Sequence, residues 1–406
     1  MPDCLNLSAN QQHKMYSIRK KFIERFGKEP LIVSSPGRVN LIGEHLDYNM
    51  GYVMPGAVDK KMYVAIALND TDTVNAYANE FDDTYSFSIP DMKVEMKEGW
   101  TSYILGVTYL IQERGHEIHG FDVLIDGNVP VGAGMSSSAA LCSAFGYALN
   151  EVFKCNLSRM DLAYVGQRTE HIFVGVMVGI MDQFASLHGK AGSVMRLDCR
   201  SMEYEYIPFI FPDHKIVMVN SMVKHSLAGT EYNVRRQECE AGVAIIAKHL
   251  PEVKSLRDVS LEQLEAYRAE MPEEVYRKSY FVITEIARVL EASKLLKAGD
   301  LEGFGELMFQ THEGLSKWYK VSCAELDFLA EQAHEFDGVT GTRMMGGGFG
   351  GCTINLVKNE QVDAFSTFIK EAYRNKFGRE TEIYITQIED GTKIESASLQ
   401  LDGVSN

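Results

Sequence analysis

Apolar positions along this chain change period several times, and each change predicts an element. Met15, Ile18, Phe22, Ile23 and Phe26 recur at helical spacing, which predicts a helix from His13 to Phe26. Short strand-like runs follow at Leu31–Ser34, Met62–Leu68, Thr73–Ala78, Thr84–Ile89 and Phe121–Ile125, with a helix over Thr101–Gln112 between them. Gly132–Ser138 reads as a small-residue loop, then come helices over Ala139–Val152 and Asp161–Phe173 and strands over Val194–Leu197 and Lys215–Val219. From about Glu231 long amphipathic helices take over, at Asn233–His249, Glu274–Ala292, Leu301–Trp318 and Ala324–Phe336. A glycine cluster at Gly346–Gly351, a strand over Cys352–Val357, a helix over Val362–Tyr373 and a strand over Glu382–Ile388 complete the pattern. Mixed strands and helices first, then helices with a few strands, predict an α+β fold of two domains, 1–200 and 201–406.

Composition narrows the ligand more than the fold. The 406 residues have room for two or three domains, and 45% apolar with 24% charged residues is ordinary for a soluble globular protein. A net charge of −16 argues against a nucleic-acid partner. It also requires that an anionic ligand be held by local cations, backbone amides or a metal. No apolar run approaches the roughly 20 residues of a membrane span. The polar start (Asn6, Ser8, Asn10, Gln11, Gln12) carries no basic-then-apolar signal. Seven scattered cysteines (Cys4, Cys142, Cys155, Cys199, Cys239, Cys323, Cys352) lack metal-ligand spacing, so buried free thiols in a reducing cytoplasm are expected. No membrane partner is expected, and a monomer is.

Four segments carry candidate chemistry. Pro36–Asn49 sets Arg38, Glu44, His45 and Asp47 around the apolar Val39, Leu41 and Ile42. A solvated loop does not need those apolar residues, and a core strand has no use for the polar ones. A polar wall facing a small polyhydroxylated ligand uses both. His45 alone would more commonly be structural, and its place between Glu44 and Asp47 favours a ligand contact. In Gly132–Ala140 the glycines allow close backbone approach, and free N–H groups at a helix start make an anion site. No Lys follows those glycines, so the common P-loop is excluded, while a glycine turn with a serine N-cap fits the pattern too. Asp182, flanked by Met181 and Phe184, either lies in a cleft with a cation such as Arg38 or caps a helix after Gly179. Five glycines in the six positions 346–351 read as a flexible loop or, with Phe349 as an anchor, an ordered turn.

Pro36-Gly37-Arg38-Val39-Asn40-Leu41-Ile42-Gly43-Glu44-His45-Leu46-Asp47-Tyr48-Asn49 resembles the signature segment of galactokinases, within the GHMP kinase superfamily. Asn128–Ala139 resembles the second superfamily motif, P-x-G-x-G-L-S-S-S-A, with Met135 in place of Leu. Arg343–Cys352 resembles the third, and Gly179-Ile180-Met181-Asp182-Gln183 matches a galactokinase segment. The resemblance implies a GHMP-kinase-like fold, with a mixed sheet plus helices in the N-terminal domain and an antiparallel sheet plus helices in the C-terminal one. It implies ATP-dependent phosphorylation of galactose at the C1 hydroxyl, with Asp182 as base and Arg38 stabilising both the base and the phosphoryl group. By the same resemblance Glu44, His45 and Asp47 contact sugar hydroxyls, Gly179 gives a backbone contact and Tyr232 closes the site. Gly132, Gly134, Ser136, Ser137 and Ser138 would cradle the ATP phosphates, and Ser138 with Glu170 would hold Mg2+. Trp100 and Tyr103, on one helical face, would flank the adenine, with core packing the alternative for one of them.

Two departures bear on the substrate: Leu46 and Met345 stand where Thr is usual. The alternatives are a kinase for another sugar (N-acetylgalactosamine, arabinose or galacturonate) or a non-catalytic sugar- and ATP-binding regulator. Such a regulator is expected to have lost residues of the second motif, and here Ser138-Ala139 is intact, as are Arg38 and Asp182.

Overall fold

The computed structural model describes residues 9–97, 99–223 and 228–395, with backbone alone at 9–11 and 228–230. Cys4 and the polar start before residue 9 lie outside the described residues. The first part is built on a six-stranded sheet in the order β13-β1-β3-β6-β4-β5. Its strands are β1 (Leu31–Asn40), β3 (Pro55–Leu68), β4 (Thr73–Ala78), β5 (Asp83–Ser88), β6 (Phe121–Gly127) and β13 (Lys393–Glu395). Only β4 and β6 run parallel, so the sheet is mixed. A small sheet of β2 (Tyr52–Val53), β7 (Ser193–Asp198) and β8 (Tyr204–Pro208) lies beside it. The second part carries an antiparallel sheet ordered β10-β11-β9-β12, from β9 (His214–Asn220), β10 (Val339–Met344), β11 (Cys352–Lys358) and β12 (Glu382–Thr386).

Both main sheets are covered on two faces. Ile32, Tyr63, Ala65 and Leu124 point to one side and meet Met15, Ile18 and Phe22 of the helix Ala9–Phe26. Their neighbours Val33, Val64, Ile66 and Val123 point to the other and join a large core with Phe145 and Leu149 of the helix Ser137–Val152. In the second sheet Val217 and Val219 face Leu329, Phe365 and Ile369 of the helices Ala324–Glu335 and Val362–Phe377. On the opposite face Ile216 and Met218 face back into the large core.

That shared core bears on the division near residue 200. The division remains a proposal, and two segments cross it: β8 pairs with β7, and β13 returns to β1 with Val33 opposite Ile394. Ser34 fixes the return by donating to the Glu395 carboxylate at 2.6 Å.

Several elements differ from the sequence expectation for identifiable reasons. β1 and β3 are longer than predicted because both their faces are buried, which removes the alternation that marks a strand. β1 runs through Pro36 by shifting register between Pro36 and Arg38, where a proline cannot donate. The helix expected to reach Phe173 is α-helical over Arg159–Thr169 and then widens into a π-turn at Glu170–Val174. The helix expected to reach Trp318 does the same at Gly314–Tyr319. The helix Met181–His188 escapes a periodicity search at only 8 residues. Six described cysteines are free, and none of the described helices is long and apolar enough to cross a membrane.

Candidate active site

The C-terminal end of β1, the loop before the helix Ser137–Val152 and the glycine loop after β10 meet around a cavity of about 370 Å³. Twelve of the residues singled out from sequence line it: Arg38, Glu44, His45, Asp47, Gly132, Gly134, Ser136, Ser137, Ser138, Gly179, Asp182 and Tyr232. Such a volume is in the range of small-molecule pockets.

Arg38 and Asp182 form its floor. The guanidinium donates to the carboxylate in parallel, Nε to Oδ1 at 2.8 Å and Nη2 to Oδ2 at 2.7 Å, and Arg38 is almost fully buried. Its remaining Nη1 donates to the Gly134 carbonyl, and its backbone amide donates to the Met135 carbonyl at 3.0 Å. The cation is thus tied to the glycine loop. Ser136 stands at the N-cap position of its helix, but its hydroxyl does not cap; it donates to Asp182 Oδ2. Asp182 lies in the first turn of Met181–His188 without capping it, so the helix-cap reading of both residues gives way to a common cluster.

Glu44 is engaged more heavily than the sequence suggested. Its carboxylate accepts from Arg343 Nη1 at 2.7 Å and Nη2 at 2.9 Å, from the Gly346 amide at 3.1 Å and from Asn40 Nδ2 at 2.8 Å. Burial pushes this carboxyl up, while Arg343 and the Gly346 amide pull it back. Four donors on two oxygens suit the ionised form. Arg343 is wholly buried, and its other donors reach the carbonyls of Leu41 at 2.8 Å and Met344 at 2.7 Å, and that of Asn40. Arg343 opens the third motif, yet nothing local marks it as a partner of a residue 299 positions earlier.

His45 has a left-handed backbone with φ of 62°, which turns its ring into a box of Tyr48, Tyr232 and Tyr319. Burial pushes its pKa down to about 3, so the ring is neutral at physiological pH. Asp47 accepts from the Tyr48 amide at 3.0 Å and from the Met181 amide. Burial, then the Asp182 charge, pushes it up to about 6. Gly179 is there because nothing larger fits: a Cβ would sit 1.9 Å from Asp47 Oδ2. Tyr232 bonds to the Gly179 backbone and packs against Gly347. Leu46 is fully buried against Gly51, facing away from the cavity, and Met345 is buried beneath Gly134.

Ser138 lines the cavity and hydrogen bonds to Glu170 and Tyr103, which lie behind it. Glu170 starts the π-turn, and burial raises its carboxyl to about 7. Among the described residues no Lys or Arg pairs with it. Trp100 stands apart from this group: its indole donates to Asp83 at 3.0 Å and its ring meets Tyr85 edge-on.

Comparison with known proteins bears on the family. A family model described as the galactokinase galactose-binding signature matches residues 20–68. Models for the GHMP kinases N terminal domain and the GHMP kinases C terminal match residues 102–190 and 292–375. A galactokinase of Roseiflexus sp. (strain RS-1) is 39% identical over 375 residues, covering 92% of this chain and 95% of that protein. A galactokinase of Clostridium perfringens (strain SM101 / Type A) is 38% identical over 383 residues, covering 93% and 99%. The solved structure of Lactococcus lactis galactokinase complexed with galactose superposes with a TM-score of 0.90 at 35% identity, covering 94% of this chain and 99% of that one. A mevalonate kinase at 20% identity and TM-score 0.62, covering 89% of this chain and 99% of its own, shares the fold.

Two outcomes follow from the buried charges. Glu170 titrates higher in the folded chain than in the unfolded one, so its protonated form contributes stability at low pH that is lost as pH rises through about 7. Between about pH 4.5 and 8, Glu170→Gln gains about 3 kcal/mol relative to wild type, read by urea denaturation of both proteins. A constant difference across that range shows an unperturbed carboxyl. Arg343→Met leaves Glu44 buried and unpaired and costs about 3–5 kcal/mol. Adding Glu44→Leu restores part of that loss, and an Arg343→Met protein as stable as wild type removes the pair from its role.

Proposed function

The chain belongs to the galactokinase family of the GHMP kinases, and from that premise we propose that it transfers the γ-phosphoryl group of ATP to the C1 hydroxyl of galactose. The observation that carries this reading is the position of the Arg38–Asp182 pair. It stands between the serine-glycine loop on one side and Glu44, His45 and Asp47 on the other.

Phosphoryl transfer needs alignment and charge neutralisation more than covalent help. The amides at the start of the helix Ser137–Val152 lack intrahelical partners and face the cavity, which suits the ATP phosphates. Asp182 takes the C1 proton as the sugar oxygen attacks, and Arg38 holds that carboxylate in place while offsetting phosphoryl charge. Glu170 and Ser138 fit Mg2+: one buried carboxylate with a raised pKa and no described cation partner, beside a hydroxyl. Bound there, Mg2+ would supply countercharge to the phosphates. Tyr103 supports Ser138 in this scheme. Neither Trp100 nor Tyr103 lines the cavity, and the adenine contact stays proposed for the segment that carries both.

For the sugar, Asp47 accepts from hydroxyls and His45 offers Nε2, which is buried without a hydrogen-bond partner. Glu44 meets the sugar only if a hydroxyl shares an oxygen already bonded twice, so its larger part is to fix the wall. Among the lining residues the one cation, Arg38, is already paired with Asp182, which disfavours galacturonate. Leu46 faces the core, so the departure from Thr leaves the sugar wall unchanged. Free thiols fit a cytoplasmic setting.

A panel of sugars with MgATP, scored by phosphorus NMR for phosphate at the anomeric carbon, tests the substrate: turnover of another hexose but not galactose overturns it. Asp182→Asn retains galactose binding and loses about 10²–10⁴-fold in kcat; near wild-type turnover would take the base role from it. Gly179→Ala pushes the Asp47 carboxylate aside, and the galactose KM rises about tenfold or more while the ATP KM changes little. Steady-state kinetics with each substrate varied reads the split, and an unchanged galactose KM shows that Asp47 does not hold the sugar.

A further inference from the structure

The loop 175–180 joins Glu170, in its π-turn, to Asp182, in the helix Met181–His188. Three of its residues, Val176, Val178 and Gly179, line the cavity. It belongs to no strand or helix, so each backbone polar group needs a partner of its own. The Gly175 and Val176 amides both turn back to the Glu170 carbonyl, the latter at 3.2 Å, and the Val178 amide donates to the Val176 carbonyl at 2.9 Å. The Val178 carbonyl accepts from Gln167 Nε2 at 3.2 Å and from His171 Nε2 at 2.8 Å. Between Gly175 and Val178 three groups remain: the Gly175 carbonyl, the Met177 amide and the Met177 carbonyl.

All three are taken by the helix Ala228–Ala247, whose Asn233 stands 56 positions beyond Met177. The Met177 amide donates to Asn233 Oδ1 at 3.1 Å, and Asn233 Nδ2 donates to the Gly175 carbonyl at 3.3 Å. Arg236 Nη1 donates to the Met177 carbonyl at 3.2 Å. Both partners of the carboxamide are backbone groups, one able only to donate and the other only to accept, so its orientation is fixed. No other side chain as short carries an acceptor and a donor on separate atoms. Tyr232, next to Asn233 in the chain, lines the cavity and hydrogen bonds to the Gly179 backbone. Gly179 in turn abuts Asp47, which accepts from the Met181 amide. The loop therefore sets Tyr232 and Asp47 against each other across the proposed sugar wall.

We propose that Asn233 is a positioning residue for sugar recognition: its carboxamide clasps the loop 175–178 to the helix Ala228–Ala247 and so holds Gly179 and Asp47 in place beside Tyr232. Arg236 adds the third bond of the clasp. The effect on the sugar rests on the galactose reading above; the clasp itself does not.

The test begins without sugar. Asn233→Leu keeps roughly the volume of the side chain and removes both of its bonds. Hydrogen exchange of the full chain is read by mass spectrometry on peptides spanning residues 174–180. The clasp requires exchange there to become about tenfold faster or more in Asn233→Leu, with the rest of the chain unchanged. Unchanged exchange in that segment overturns it, and so does a rise spread over the whole chain, which marks general loosening. Arg236→Met removes the third bond alone and gives the same local rise at smaller amplitude. Steady-state kinetics then read the consequence: Asn233→Leu raises the galactose KM by about three- to tenfold while the ATP KM changes little. A galactose KM at the wild-type level shows that only volume matters at this position, and an equal rise in both KM values shows a merely structural role; either overturns the positioning of the sugar wall. If galactose is not phosphorylated by the wild type at all, the substrate reading fails, while the exchange result still decides the clasp.

Discussion

The buried pair of Arg343 and Glu44 is the constraint on which the rest of the cleft depends. Removing two charges from water costs several kcal/mol each, and attraction offsets this only when the leftover donors and acceptors are also satisfied. Here all five guanidinium N–H groups have partners, three of them backbone carbonyls, and both carboxylate oxygens accept twice. The carbonyls belong to Asn40 and Leu41 at the end of β1 and to Met344 at the end of β10. One side chain therefore fastens the tips of two strands from different sheets. The Gly346 amide brings the glycine loop into the same cluster.

From that fastening the other groups take their places. The chain leaving Asn40 turns at Gly43 and reaches His45 in a left-handed conformation, directing the ring inward. Upstream, the shift between Pro36 and Arg38 interrupts the strand register, and Arg38 reaches across to Asp182 and Gly134. The phosphate loop is then held from both sides, by Arg38 beneath Gly134 and by Met345 packed against it. The proposed sugar wall and phosphate loop share a rigid support, which suits a reaction that depends on holding two substrates in line.

Much of this was legible locally, because the chemistry lies in short segments. Glycines beside serines at 132–138 and the polar run at 44–47 state their use in their own residue types. What the sequence could not display is pairing at a distance. Nothing near Glu44 pointed to Arg343, 299 residues away, and nothing near Tyr48 pointed to Tyr319, 271 residues away. Short or two-sided elements were missed for a different reason. β13 has three residues and the helix carrying Asp182 has eight, too few to display a period. β1 was found only over Leu31–Ser34, because nearly all its side chains are buried and its second half shows no alternation.

Four carboxylates in and behind the cleft differ in what surrounds them, and that difference divides the labour. Glu44 and Asp182 each face a guanidinium at hydrogen-bonding distance, so their charge is already compensated. Asp47 and Glu170 have amides or a hydroxyl but no described cation partner, and burial holds both well above the usual carboxylate range. A buried acid in that condition gains most from a ligand that supplies what is missing: hydroxyl donors for Asp47, a cation for Glu170. In a chain of net charge −16, local compensation of this kind is what lets an anionic nucleotide approach at all. The two paired acids hold the cleft in shape, and the roles proposed for the two unpaired ones follow from what each lacks.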